Sequence, residues 1–591
     1  MSLLRRYSAP AALAAVLFAS IAAPYLTPVD PDAAVFRSGS LGALLLLGCY
    51  LPVRGAYIKA NRRTLLCGMV WGFLFACALG LGSELAFYGR LLPGAGSMIR
   101  RLAVPVLITP LAGGLCARMM LGRLPRGTQP ARLPMIAYAA VFFVCWLPLL
   151  LAYYPGMLNY DVVTEYGQHL AGQYSSIHPL LHSALMNGVI SIGERMNDPT
   201  LGVLFMSLLQ MILFALSLGH ACAFAQRRGA PRWALAALAA LFALHPVFSV
   251  MSLSMTKDTL FAAAILTLSL EIFELLRDPD NFLSSKARCL LFVILTMGAA
   301  LMRNNGVFAL ALMFPAALIA AKGRRLKTAA LLGAGVCAAL LTLFGLHALL
   351  KPSAMPSFQL YSLPAQQLVR VYNSGKLTDE ERAEIEQWYT SEDGLVRHPH
   401  LADPAKGYLD KARLESDGGD FLAIWKKHFP TYTTEYIEAF LLLNIGSWYP
   451  DDRSHQTIYP DVSWNDKGYL QTQEYDLSAE GIISRCFLPD VRDFYEQICR
   501  RNEYKKYPVI SLLFCTATPL WVLLFAALLL IARGHTRFLP AALGALGLWA
   551  SYLFGPCTLP RYTLPLFALA PVLLIAALCL PDVPGLKRMR R

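Results

Sequence analysis

The sequence predicts an all-α polytopic membrane protein of about 14 transmembrane helices, with an inserted, mixed but mainly α, extracytoplasmic domain. Three observations carry this. The chain of 591 residues is 56% hydrophobic and only 15% charged, with a mean hydropathy of +0.47, where a soluble globular protein is roughly a quarter charged. Its apolar residues fall in separate runs of roughly 17–25, the length a bilayer requires. Its acidic residues concentrate in one stretch, 351–507, which holds 25 of the 38 acids and 18 of the 52 basic residues. The abundance of aliphatic and aromatic residues excludes disorder, and the lack of a fixed-length period excludes fibres and solenoids.

The runs lie at about 9–27, 40–57, 64–87, 102–120, 133–153, 200–224, 233–253, 259–276, 305–321, 328–350, 508–532, 537–554 and 562–580, with a shorter one at 287–302. They divide the chain into a four-helix extension (1–132), a core (133–350), the polar domain (351–507) and C-terminal helices (508–591). The segment 179–193 is short and carries His182 and Asn187. Treating it as a juxtamembrane helix puts both termini in the cytoplasm, with about 26 Lys and Arg in cytoplasmic loops against about 8 outside. Treating it as a span turns the clusters at Arg227, Arg324, Arg533 and Arg588 outward, against the positive-inside rule. The loop with Arg90, Arg100 and Arg101 is the exception in the preferred topology. Residues Met1–Leu26, with Arg5-Arg6 ahead of an apolar stretch, read as an uncleaved signal-anchor.

The net charge of +14 sits in short loop clusters such as Arg62-Arg63 and Arg324-Arg325, a membrane-topology pattern that points away from nucleic acid. The thirteen cysteines show no zinc spacing. Cys486 and Cys499, close together in the polar domain, are the one pair placed for a disulfide if that domain faces an oxidising compartment.

In this topology the polar features converge on the outer face. Tyr153 to Gln168 leaves a span through Pro155-Gly156 and presents Asp161, Glu165 and Gln168 at helical spacing, then reaches His178-Pro179. A carboxylate there suits a general base; the same residues also fit a solvated loop with Asp161 as a helix N-cap. Lys257-Asp258 opens a span, Arg303 interrupts an apolar segment, and Arg561-Tyr562 opens the last span. Ionisable groups at such depths are costly unless used or paired. Lys257, Arg303 and Arg561 suit a phosphate; each also fits a snorkelling interfacial anchor. In the polar domain, Pro364 to Tyr389 is helix-like, with a capping box at Thr378 and Glu381. Trp448 and Tyr449 fit either a sugar platform or a core, and Asp451-Asp452 is a weak metal signal.

The segments YPGMLNYD, Gln168, His178-Pro179, SMTKDTLF, RNNG, LPAQQLVRV, DPAKGYL and GPCTLPRYTLP, in that order over about 150–565, resemble the GT-C fold of integral-membrane glycosyltransferases, and more closely a bacterial multi-pass membrane family grouped with them. Asp161 is followed by Val162-Val163, where protein mannosyltransferases carry a second acid. The resemblance implies a polyprenyl-phosphate sugar as donor and an extracytoplasmic envelope glycan, lipid or polymer as acceptor. Asp161 would be the base of an inverting transfer. Lys257, Arg303, Arg561, Tyr562, His178 and Gln168 would line the substrate and phosphate site. It implies no nucleotide cofactor. A divalent metal assists some members, although no ligand cluster is evident here. The alternative is a transporter or flippase of lipid-linked sugars, which inverted repeats and midplane charge would signal. No repeat is evident, and midplane charge is limited to Glu84 and Glu271.

Overall fold

No water reaches the bilayer interior to bond exposed peptide groups, so an apolar run satisfies its backbone internally, as a helix. The computed structural model has this character throughout. It describes residues 1–22, 44, 47–125, 133–451, 475–477, 479–499 and 503–581. Among these, every regular element is helical and only isolated bridge pairs occur besides. Seven helices are long and apolar enough to cross a membrane: Arg62–Tyr88, Ala95–Met120, Met135–Ala152, Pro199–Arg227, Lys257–Arg277, Arg325–Leu350 and Pro560–Cys579. The expected run 233–253 is a bent pair, Arg232–Leu244 and Pro246–Leu253, with a 47° angle between them. Pro246 lacks the N–H a continuous helix needs, and the His245 side chain instead accepts a hydrogen bond from the Val247 N–H at 3.1 Å. Ser8–Ala22, Gly306–Ala320 and Thr518–Ala532 are shorter apolar helices, and 179–193 forms the 16-residue helix Leu180–Arg195. Part of the 40–57 run, Asp452 and the cluster Arg588 to Arg591 lie outside the described residues.

The Lys257–Arg277 helix is the hub. It is buried almost along its whole length and packs against Pro199–Arg227, Lys286–Leu301, Pro540–Tyr552 and Pro560–Cys579. The two ends of this bundle differ in chemistry. One gathers Lys257, Arg303, Arg561 and the Tyr160–Leu170 helix. At the other, Arg228 pairs with Glu274 at 2.7 Å, Arg288 with Glu271 at 2.8 Å and Arg324 with Asp280 at 2.5 Å. There too the buried Arg533 donates to the carbonyls of Ala577, Leu578 and Leu580 at 2.7, 3.1 and 3.2 Å, and to those of Met120 and Gly122. One guanidinium thus joins the C-terminal ends of two helices far apart in sequence, where unpaired carbonyls and the helix dipole favour a cation.

The N-terminal helices dock on this core. Arg62–Tyr88 and Ala95–Met120 cross closely at Gly68, Gly72 and Gly113. A Cβ at Gly72 would stand 2.4 Å from the Gly113 nitrogen and one at Gly68 2.5 Å from the Gly113 oxygen, so only small residues permit the approach. Trp71 donates to the Trp521 carbonyl at 3.1 Å, fixing the pair to Thr518–Ala532. Glu84 pairs with two of the three basic residues, Arg100 and Arg101, that are the exception to the charge pattern. It accepts from Arg101 at 3.0 and 2.8 Å, with Arg100 3.8 Å away.

The polar segment is helical in its described residues rather than mixed. Its small core of Leu368, Val369, Ile385, Leu414 and Phe421 comes from helices, and Trp388 joins it from the turn after Asp379–Glu386. The expected helix from Pro364 to Tyr389 is two, Ser362–Tyr372 and Asp379–Glu386, and the second carries the capping box of Thr378 and Glu381. Cys486 and Cys499 are free thiols. Cys499 is turned wholly into the apolar core, while Cys486 lies in a partly exposed loop, so the expected disulfide is absent. Trp448 and Tyr449 pack among Leu85, Leu442 and Ile445 as core residues.

Candidate functional site

The site begins with a backbone tie. The chain between Met135–Ala152 and Tyr160–Leu170 runs beside the turn before Lys257, where the Met255 N–H donates to the Met157 carbonyl at 2.9 Å. Gly156 allows this path, since a Cβ there would stand 2.0 Å from Ser207 Oγ. The fully buried Gln210 side chain donates to the carbonyls of Met251, Ser252 and Ser254 at 3.3, 3.0 and 2.6 Å, pinning the turn from which the Lys257 helix starts. Asn159, not Asp161, caps the Tyr160–Leu170 helix, accepting from the Val162 N–H at 3.0 Å. Asp161 therefore stands in the first helical turn with its carboxylate free for other partners.

Those partners are two of the expected cations. Lys257 Nζ lies 2.9 Å from Asp161 Oδ2, and Arg561 Nη1 lies 3.1 Å from the same oxygen. Asp258, wholly buried, faces Arg303 Nη1 with Oδ1, and its Oδ2 is 3.8 Å from Arg561 Nε. Arg303 is fixed further by donating to Asn305 Oδ1 at 3.1 Å. Its guanidinium lies 4.4 Å from the ring centre of Tyr562 and 5.4 Å from that of Tyr552, a cation–π seat between two aromatic faces. Arg303 and Tyr562 thus position Asp258 and, through it, Arg561.

A second carboxylate sits one turn along the Asp161 helix. Glu165, 1% exposed, accepts from Ser183 Oγ at 2.6 Å and lies 2.8 Å from His182 Nδ1. His178 joins the two halves, its Nδ1 being 3.5 Å from Lys257 Nζ and 3.7 Å from Glu165 Oε1. Gln168 is buried further along the same helix, and among the described residues its side chain makes no hydrogen bond to Asp161. Among the described residues the cluster holds three acids (Asp161, Glu165, Asp258) and three permanent cations (Lys257, Arg303, Arg561), so it is balanced when both histidines are neutral.

Burial opposes ionisation of Asp161, but Lys257 and Arg561 outweigh it and hold the carboxyl well below the usual range. Burial likewise opposes ionisation of Glu165, and His182, with His178 and Lys257, more than offsets it, bringing the group down to about 2. Burial pushes His178 below its ordinary value, aided by Lys257 and opposed by Glu165 and Asp161. Asp161 keeps 23% of its side-chain surface accessible, so this pre-ionised cluster opens to a mouth.

The mouth adjoins an apolar cleft. A cavity of about 550 Å³ lies between Leu180–Arg195, Lys286–Leu301, Gly306–Ala320 and Arg325–Leu350, within the size range of ligand sites. His178 and Asn304 stand at its polar end, and Leu310, Phe314 and Leu340 are among its apolar walls. The polar segment is tied to the chain just before Arg561, the Ala402 N–H donating to the Pro556 carbonyl at 2.7 Å. Among the described residues no group of three His, Cys, Asp or Glu side chains is placed to hold a metal ion. Asp161 already faces two protein cations, so these residues do not fit a divalent ion.

Fold and site together define a helical membrane protein with a charge-balanced polar cluster at one end of its bundle, beside an apolar cleft. The chain belongs to a family of unknown function, DUF6020, whose profile matches residues 170–583. No curated protein and no solved structure matches it. His178, Lys257, Asp258, Arg303 and Arg561 fall inside the matched region, and Asp161 and Glu165 just before it.

Proposed function

We propose that the chain is an integral-membrane glycosyltransferase that moves a sugar from a polyprenyl-phosphate donor to an envelope acceptor. The observation that carries this reading is the adjacency of an accessible carboxylate, two cations and an apolar cleft, with His178 touching both the cluster and the cleft. A lipid-linked phosphate presents the matching chemistry, a long apolar chain ending in an anion.

The donor phosphate competes with Asp161 for Lys257 and Arg561, because all three meet at one carboxylate oxygen. Once the cations turn to the phosphate, Asp161 loses the charges that depress its basicity and accepts the proton of the acceptor hydroxyl. The hydroxyl oxygen bonds to the anomeric carbon as the bond from that carbon to the phosphate oxygen breaks, its electron pair leaving with the polyprenyl phosphate. Lys257 and Arg561 stabilise that departing charge. Attack opposite the leaving group inverts the centre. The reading includes about fourteen crossings, with the basic bundle end and both termini in the cytoplasm and the cluster outside, in keeping with the positive-inside rule.

The test compares wild type with Asp161→Asn in vesicles, following release of polyprenyl phosphate from a radiolabelled polyprenyl-phosphate sugar in the presence of envelope extract. Turnover lost with donor binding kept is the expected result. Donor left intact by both proteins, while labelled lipid crosses the bilayer, would replace the enzyme by a flippase.

A further inference from the structure

The opposite end of the bundle holds a second cavity with its own chemistry. It measures about 600 Å³ and lies where the Lys257–Arg277, Gly306–Ala320 and Pro540–Tyr552 helices end or begin. Its apolar wall includes Leu276, Ile319 and Leu543, and its rim carries Arg277, Lys322 and Arg537. No acid lines it. The acids nearest in sequence are engaged elsewhere: Asp278 accepts from the Asn281 N–H at 3.3 Å, and Asp280 pairs with Arg324. Among the described residues none of the three rim cations is in an ion pair, and all three are exposed. At the same bundle end Arg228, Arg288 and Arg324 each have a carboxylate, so what sets these three apart is that they share one apolar crevice.

We infer that this cavity is a binding site for an anionic glycerophospholipid of the surrounding bilayer. Three like charges around one crevice repel each other unless an anion lies between them. An aliphatic wall gains nothing from a small hydrated anion and does gain from an acyl chain. A phosphodiester headgroup on the rim, with its chains along Ile319 and Leu543, satisfies both halves. Basic pockets between membrane helices take acidic headgroups in this way. Thr536, also on the lining, adds a hydroxyl for the headgroup. The inference stands apart from the proposed reaction, since it uses none of the residues at the other end.

The test uses the full-length protein in detergent, with lipid retention counted by native mass spectrometry during titration with dioleoylphosphatidylglycerol or dioleoylphosphatidylcholine. The expected result is one retained phosphatidylglycerol with roughly 100-fold preference over phosphatidylcholine, following a factor of about five per nearby cation. Arg277→Gln, Lys322→Gln and Arg537→Gln together should abolish the preference. Lys322→Gln alone, at an exposed position outside the helices, should weaken it about fivefold and keeps the test valid if the triple variant does not fold. Arg62→Gln, Arg63→Gln and Arg232→Gln together remove the same charge from the same end, outside the cavity, and should leave it intact. Equal retention of both lipids by wild type, equal loss in the control triple, or displacement of the lipid by glycerol 3-phosphate at similar concentration would each overturn the inference.

Discussion

Asp161 is an anion shared between two cations, and in the proposed reaction that sharing separates its role from theirs. Asp161→Asn is expected to lower turnover by about 100-fold or more with donor KM little changed. Arg561→Ala should instead raise donor KM by about tenfold or more, the worth of a lost charge-assisted contact; measuring polyprenyl-phosphate release against donor concentration checks both. Glu165 offers a pH test. Its pKa is about 2 in the fold against an ordinary 4.5, a depressed carboxylate, so its contribution to stability is complete above about 4.5 and is lost as pH falls towards 2. Acid unfolding followed by tryptophan fluorescence should therefore be shallower over that window in Glu165→Gln. His178 adds in the same direction over a different range, because a histidine kept neutral by burial makes the fold less stable as pH drops below 6.5. Lys257, Arg303 and Arg561 could be picked out in the sequence because charge at the border of an apolar run stands out. Their partners could not: Asp161 and Arg561 meet across 400 residues, and Asp258 reads in sequence only as the neighbour of Lys257. Glu165 shows one turn after Asp161, but its partners His182 and Ser183 come from a different helix.

Helices place these side chains through a few backbone constraints. Gln210 is the clearest: its amide meets three carbonyls of the turn before Lys257, and nothing in the apolar run that contains it announces that role. Gln210→Leu should remove the one amide that joins those carbonyls, although Met251 keeps Thr259 Oγ1 and Ser254 keeps the Thr256 N–H as donors, and so loosen Lys257, raising donor KM more than it lowers kcat. The glycine crossing is a second constraint. Gly68 and Gly72 are a small-residue pair four apart, a signal present in the sequence whose meaning depends on Gly113 lying opposite. Gly72→Leu places carbon where the Gly113 backbone already sits, and overpacking of this kind costs about 1–3 kcal/mol. A lowered unfolding temperature and faster trypsin cleavage between the two helices would register it. The breaks inside 233–253 and 508–532 do not show in the run lengths. Hydropathy averages over a break, whereas the chain turns where Pro246 or the Cys515–Ala517 segment interrupts the ladder.

At the scale of the whole molecule the bundle has a basic end and an end that holds the mixed-charge cluster, and the proposed topology puts the membrane between them. Single cysteines at Arg537 and at Ser391, added to a background cleared of native cysteines, should react with a membrane-impermeant maleimide from opposite sides of sealed vesicles. Labelling of both from one side would refute that arrangement. The class of the fold could be read from apolar run lengths alone, while the count of crossings depends on bends and short helices that run length does not resolve. The Pro560–Cys579 helix is mostly buried against the hub, supplies Arg561 to both Asp161 and Asp258, and receives Arg533 at its far end. The ribosome makes it after every helix it contacts. Until it emerges, the nascent chain holds two aspartates lacking one of their cations and a groove along the hub open to lipid. A premature stop near residue 555 would therefore yield a chain of nearly full length with its most costly surfaces uncovered, a clear target for membrane proteases and unable to linger as a partly active product.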